Sequence, residues 1–211
     1  MHLRLVDWNC HGLYRQKAGY ILKAEPDIAI IQGCEKNHGQ PFQNLWFGDD
    51  VDNGIGVFAT NDYKLTIHPS YNPEFKYIIP VKVTGKDEFN LIVVWIMSGN
   101  DFGKLPIALD YYKSLLKEST IAVGDFCCVL GKPIPILGKY GIKSVYHRLH
   151  KEKFGKESFP TLFDLADLSN NYHTDYCFAS EKLKVEKMGI TAPQEWLELS
   201  NQMALIVDFG V

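Results

Sequence analysis

Short apolar runs separated by compact polar breaks mark out the chain, and the spacing of the apolar positions changes along it. Leu3 to Val6 reads as a strand that closes on Asp7-Trp8-Asn9-Cys10-His11-Gly12. Tyr14, Lys17, Ala18, Ile21 and Leu22 then recur at helical spacing, with Pro26 just past the end. Ile28 to Ile31 is a second run, apolar on both faces, closing on Gln32-Gly33-Cys34-Glu35. A strand, a helix and a strand in that order predict a parallel pair.

The period then shortens. Gly54 to Ala59, Lys64 to His68, Tyr77 to Val83 and Phe89 to Ile96 predict short strands joined by Asn-Asp, Asn-Pro and Gly-Lys turns, as in a meander. Pro106 suits the first turn of a helix through Ala108, Tyr111, Tyr112, Leu115 and Leu116. Thr120 to Val123 predicts a strand buried on both faces. Gly124 permits a tight backbone turn, and Asp125 stands at the carboxyl end, where sites in layered α/β proteins form. Gly131 to Gly141, with two prolines, predicts a loop. Ser144 to His150, Tyr172 to Ala179, Leu183 to Met188 and Leu205 to Phe209 predict the remaining strands. Helices flanking two strand-rich halves imply a layered α/β (α+β) sandwich, expected as one domain over residues 1–211.

Composition narrows this picture modestly. With 46% hydrophobic and 22% charged residues, the chain is an ordinary globular sequence, and its net charge of −3 gives no overall pull toward nucleic acid. Any such binding needs a local basic face. Lys139, Lys143, His147, Arg148, His150, Lys151, Lys153 and Lys156 could follow a phosphate backbone, although a solvated face explains them as well. Five cysteines, without zinc spacing or an even count, imply no disulfide framework. The N-terminus lacks a signal-peptide core and no run reaches membrane-spanning length, so a cytoplasmic protein is expected. Cys127 and Cys128 read as buried, inert thiols rather than a reactive pair. Asp49 to Gly54 reads as a hairpin turn at Asn53-Gly54, lacking the closing glutamate of a calcium loop. Trp8, Trp46, Trp95 and Trp196 are read as packing residues.

Polar clusters end four of the strands: Asp7-Trp8-Asn9, Gln32-Gly33-Cys34-Glu35, Gly124-Asp125-Phe126-Cys127 and His173-Thr174-Asp175-Tyr176. A fifth, Ser200-Asn201-Gln202-Met203, precedes the last strand. In this order, with Pro26-Asp27-Ile28-Ala29-Ile30-Ile31, Gly56-Val57-Phe58-Ala59 and Leu205-Ile206-Val207-Asp208-Phe209, they resemble the endonuclease/exonuclease/phosphatase superfamily along essentially the whole chain, and most closely its short bacterial members. That resemblance implies a four-layer α/β/β/α sandwich of the deoxyribonuclease-like kind. It also implies hydrolysis of phosphoesters assisted by Mg²⁺ held on carboxylates. Mapped onto this chain, Asn9 takes the position that touches metal or phosphate, Asp125 the one that orients or deprotonates water, Asp175 the one that orients the essential histidine, and His173 an accessory phosphate-side position.

Four positions depart from the family pattern. Gly33 stands where the resemblance places the metal-binding glutamate, Cys127 where it places a phosphate-binding asparagine, and Asn201-Gln202 where it places Asp-His. Two anionic groups and one titratable imidazole are thereby lost. Glu35, two residues beyond Gly33, is the candidate replacement metal ligand on the same side of an extended chain. The expectation is a hydrolase-like protein without metal-dependent catalysis, needing no cofactor and binding a phosphate-bearing ligand, nucleic acid or a protein partner. Asp125 and Asp175 are expected to bond to Asn9, Gln202 or backbone N–H groups. The alternative is a Mg²⁺-dependent nuclease or phosphodiesterase rearranged around Asn9, Glu35 and Asp125. Glu at 33, Asn at 127, Asp at 201 and His at 202 are the changes predicted to restore metal affinity.

Overall fold

The computed structural model describes residues 2–37, 39, 42–97, 103–127, 131 and 133–210. Its first half runs β1 (His2–Asn9), α1 (Tyr14–Leu22), β2 (Ile28–Cys34), β3 (Gln43–Asp50), β4 (Asn53–Ala59), β5 (Tyr63–Ile67), β6 (Ile78–Gly85) and β7 (Phe89–Trp95). The second runs α2 (Lys104–Tyr111), a 3₁₀ turn, β8 (Thr120–Asp125), α3 (Pro133–Lys139), β9 (Ile142–Ser144) and α4 (Val145–His150). It ends with β10 (Leu162–Asp164), β11 (Asp167–Tyr172), β12 (Asp175–Ser180), β13 (Lys184–Ile190), α5 (Pro193–Trp196) and β14 (Leu205–Gly210).

Two six-stranded sheets result, in the orders β13-β14-β1-β2-β4-β3 and β5-β6-β7-β8-β12-β9, with β10-β11 as a separate hairpin. Both are mixed: β1 runs parallel to β2, and β7 parallel to β8. The two-residue period of the strands sorts their side chains. Leu3 and Leu5 of β1, Ile28 and Ile30 of β2, Ile121 and Val123 of β8, and Cys177 and Ala179 of β12 share the core between the sheets. The opposite faces form two outer cores, one with Tyr14, Ala18 and Ile21 of α1 and Trp196 of α5, the other with Leu105, Ala108 and Leu109 of α2 and Leu137 of α3. The expected four-layer α/β/β/α sandwich is what forms. Among the described residues no helix is long and apolar enough to cross a membrane.

Several elements differ from their sequence reading. The strands after Gly54 do not make one meander, because β4 joins the first sheet whereas β5 opens the second. β3 carries no periodic signal because it is a half-exposed edge strand without clean alternation. The predicted loop over 131–141 contains α3, whose Pro133 and Pro135 fall in the first turn, where the missing N–H groups have no helical acceptor to lose. The predicted strand from Ser144 to His150 is helix α4. Ser144 caps it, its hydroxyl accepting from the His147 N–H, and so ends β9. The Asp49–Gly54 turn is confirmed as a hairpin, but Val51 and Asp52 form its tip and Asn53 and Gly54 already belong to β4.

Candidate functional site

The strand phase that builds the inner core also builds the site. Continuing β1 past Leu3 and Leu5 gives Asp7 and Asn9. The same step along β2 gives Gln32, along β8 Asp125, and, backwards along β12, Asp175. All five are buried, at the end of the sandwich where the apolar filling stops. Pairing brings them together, since Asn9 stands opposite Gln32 and Asp125 opposite Asp175. Gly124 permits this placement. It has φ +140°, and a Cβ there would lie 1.9 Å from the Val94 carbonyl oxygen.

Asp125 is held by neutral donors on both oxygens. Oδ2 accepts from Asn9 Nδ2 at 3.2 Å and Gln202 Nε2 at 2.9 Å, and Oδ1 accepts from the Cys127 N–H at 2.8 Å. Gln202 is aimed by its own turn: its N–H donates to Ser200 Oγ, Ser200 Oγ–H donates to the Asn9 carbonyl, and the Trp8 indole donates to the Gln202 carbonyl. Asp175 does not take the partners its sequence reading gave it. Thr161 and Thr174 hydroxyls donate to its Oδ2 at 2.6 and 2.9 Å, and Oδ1 has no partner among the described residues. Sequence reasoning did not single out Asp7. Gln32 Nε2 donates to its Oδ1 at 2.7 Å, and its place two residues before Asn9, in phase with Leu3 and Leu5, was the available signal.

Burial dominates the acidities. Asp7 is pushed up to about 8, chiefly by desolvation, against the opposing bond from Gln32. Desolvation also raises Asp125, although Gln202, Cys127 and Asn9 oppose it. Asp175 is raised well above the carboxylate range by desolvation and by the charges of Asp125 and Asp7. Burial lowers His11 below the ordinary imidazole value. Burial therefore makes the carboxyl groups at the floor of the site hold their protons more tightly than free ones do.

The remaining candidates divide among three clefts. Asn9, Asp125, Gly33, Cys127, Asn201 and Gln202 line one of about 560 Å³, together with His11 and Trp95. His173 lies outside it. It lines an adjoining cleft of about 410 Å³ with Glu157 and Tyr176, its Nδ1 2.6 Å from the Phe159 carbonyl oxygen and its buried Nε2 without a partner among the described residues. Cys127 borders both clefts. Cys127 is half-buried rather than buried, and Cys128 lies outside the described residues. Glu35 lines a third cleft with Arg15 and Lys36, which meets the main cleft at Asp52, and its buried Oε2 has no partner among the described residues. A bulge between Gln32 and Cys34, with Gly33 at φ +72°, breaks the extended geometry on which its sequence reading relied.

Mg²⁺ requires hard oxygen ligands, usually one or two carboxylates with water and phosphate. In the main cleft the Asp125 carboxylate already accepts three hydrogen bonds, Gly33 supplies no side chain, and Asn201 Nδ2 is turned onto the Phe163 carbonyl. Asp52 stands exposed in a hairpin at the rim. Among the described residues no group of three or more His, Cys, Asp or Glu side chains gathers as a metal-holding set.

Cys127 adopts φ +51°, a region asparagine tolerates better than cysteine. Cys127→Asn is expected to raise stability by about 0.5 kcal/mol, read as a rise of about 1–2 °C in Tm. A lower Tm would mean that the thiol packing outweighs the backbone preference.

A sandwich of two mixed sheets, with polar strand ends gathered at one end of the inner core, is a deoxyribonuclease-like fold shared with solved nucleases and phosphatases. Solved structures similar over the full length include an AP endonuclease from Archaeoglobus fulgidus, at 14% identity and a TM-score of 0.74, covering 99% of this chain and 100% of that one. A 3'-5' exonuclease (NExo) from Neisseria meningitidis is 16% identical with a TM-score of 0.73, covering 99% and 100%. The D. rerio TDP2 complexed with a single-strand DNA product is 15% identical with a TM-score of 0.68, covering 100% and 99%. No family model matches the sequence, and none of the curated proteins does. At these identities the likeness establishes the fold.

Proposed function

We propose that the chain keeps this hydrolase-like fold without metal-assisted hydrolysis, and that it acts by binding a phosphate-bearing ligand, nucleic acid included, in the cleft beside Asn9 and Gln202. The observation that carries this reading is the engagement of Asp125: both carboxylate oxygens accept from amide or backbone N–H donors, and one of those donors, Gln202, cannot serve as an acid or base near neutral pH. A carboxyl group whose charge is offset by three N–H donors repels phosphate less than a bare one. Asn9, Gln202 and the turn at His11 and Gly12 then offer polar contacts without a metal. Solved structures with the same fold hold a product DNA hairpin or a single-strand DNA product, which supports nucleic acid as the first ligand to try.

The test is fluorescence anisotropy with a short labelled single strand in EDTA, alongside incubation of the same strand in Mg²⁺. Binding is expected in EDTA, the strand is expected to stay intact in Mg²⁺, and Asn9→Ala or Gln202→Ala should each weaken binding roughly 3–10-fold. Cleavage in Mg²⁺ that disappears in Asp125→Asn would establish the active-nuclease alternative instead. His11 gives a second readout. Burial lowers its pKa below the ordinary imidazole value, so affinity should rise as pH falls below that range and this ring gains charge. His11→Ala should remove that rise; an unchanged pH profile would exclude His11 from the contact.

A protein partner is the second reading. It is favoured by the exposed Leu165 and Leu168 of the β10-β11 hairpin and by nearby Phe159 and Tyr172.

A further inference from the structure

Lysines and glutamates alternate along Lys151-Glu152-Lys153-Phe154-Gly155-Lys156-Glu157, so the sequence alone gives this stretch little net charge. The fold sorts them. Glu152 is drawn back onto its own chain: Oε2 accepts from the Tyr146 hydroxyl and the Ser158 N–H, both at 2.8 Å, and Oε1 accepts from the Ser158 hydroxyl. Glu157, with its side chain only 3% exposed, accepts from the Tyr176 hydroxyl at 2.8 Å and faces His147 Nε2 at 3.2 Å. Lys151, Lys153 and Lys156 are left exposed, without an ion pair among the described residues. The sequence reading of a solvated face holds for these three and for Lys139 and His150, whereas Arg148 is half-buried.

These cations stand at the lip of the cleft that holds His173. Phe154 and Gly155 line that cleft, and the Lys156 N–H donates to the Lys153 carbonyl at 2.9 Å, so Lys153 and Lys156 are the two ends of a tight turn whose middle forms the lining. Asn171 and Tyr172 of β11 line it too, both exposed, and the Tyr172 ring meets no other ring among the described residues. The cleft adjoins the main one at Cys127. The two therefore form one continuous track, from Asn9 and Gln202 to the lysine turn, longer than a single nucleotide needs. An exposed aromatic ring with cations beside it is the usual platform for an unpaired nucleic-acid strand.

We propose that a single-stranded nucleic acid held beside Asn9 and Gln202 runs on past Cys127 into this second cleft, with a base on Tyr172 and phosphates against Lys153 and Lys156. This extension rests on the reading of the main cleft given above. Fluorescence anisotropy in EDTA, with labelled oligothymidylates of about 2 and about 8 nucleotides, tests it.

Wild-type affinity should rise at least about 10-fold from the shorter strand to the longer. Lys153→Gln/Lys156→Gln should weaken the longer strand roughly 5–10-fold, lower the slope of log Kd against log salt by about 1, and leave the shorter strand unchanged. Tyr172→Ala should cost the longer strand roughly 5-fold or more. Lys117→Gln/Lys182→Gln makes the same charge change at exposed positions, at the end of β8 and β12 opposite Asp125 and Asp175, and should alter neither strand. Asn9→Ala should weaken both strands. If the longer strand responds to Asn9→Ala but not to Lys153→Gln/Lys156→Gln or Tyr172→Ala, the extension alone is overturned. Equal weakening by the two lysine pairs would mean diffuse attraction and overturns it too. Binding that ignores Asn9→Ala, or no binding of either strand, overturns the reading of the main cleft and the extension with it.

Discussion

Gly33→Glu is expected to lower Tm by roughly 6–12 °C and to confer no metal affinity. Gly33 sits in the bulge of β2 at φ +72°, where a side chain is strained by about 1–3 kcal/mol. A Cβ there would also meet backbone atoms that cannot give way, with Gly12 N at 2.9 Å, His11 N at 3.1 Å and His11 Cα at 3.3 Å. Together these cost about 3 kcal/mol, and each kcal/mol shifts Tm by about 2–4 °C in a chain of this size. Gly33→Ala should lose nearly as much, because the Cβ and not the carboxylate causes the loss. The four substitutions that the sequence suggests for restoring a metal site therefore fail at the first of them. A Gly33→Glu protein that melts like the wild type and binds Mg²⁺ would show that the bulge rearranges at little cost.

At pH 8, Asp7→Asn is expected to be the more stable protein, and the advantage should vanish as pH falls toward 4. Asp7 is raised from 3.8 to about 8 by burial, so the folded state holds its proton across that interval while the unfolded state has released it. Stability from this group is complete below about pH 4 and is lost progressively as pH rises to about 8. The span corresponds to an upper limit on the order of 5 kcal/mol, reduced by relaxation around the charge. Asp125 and Asp175 are raised as well and steepen the decline in the same direction. Asparagine at position 7 keeps an oxygen for Gln32 Nε2 and cannot ionise. Urea unfolding at pH 4, 6 and 8 measures the difference; equal pH slopes for the two proteins would place the proton elsewhere.

Much of the site could be read from alternation alone. Asn9 and Asp125 end strands whose apolar residues share their face, and so they had to arrive together at one end of the inner core. Asp7 and Gln32 obeyed the same rule. They stood in view within polar clusters, but the motif that drew attention to those clusters emphasised their neighbours. Local backbone geometry was not legible. The bulge at Gly33 breaks the extended run to Glu35, which lines another cleft, and His173 lines the cleft that adjoins the main one at Cys127. The same limit hid α3 and α4, where prolines and a serine cap decide the outcome over residues whose hydrophobic pattern suits loop or strand.

Calorimetric melting of the wild-type protein across a titration of Mg²⁺ and Mn²⁺ tests most directly whether the Asp125 cleft holds a divalent ion. A ligand that prefers the folded state raises Tm as its concentration passes Kd. No saturable rise is expected up to about 10 mM of either ion, a concentration at which a site with millimolar Kd would already add about 1 kcal/mol. A saturable rise that disappears in Asp125→Asn would contradict this and establish a metal site at Asp125.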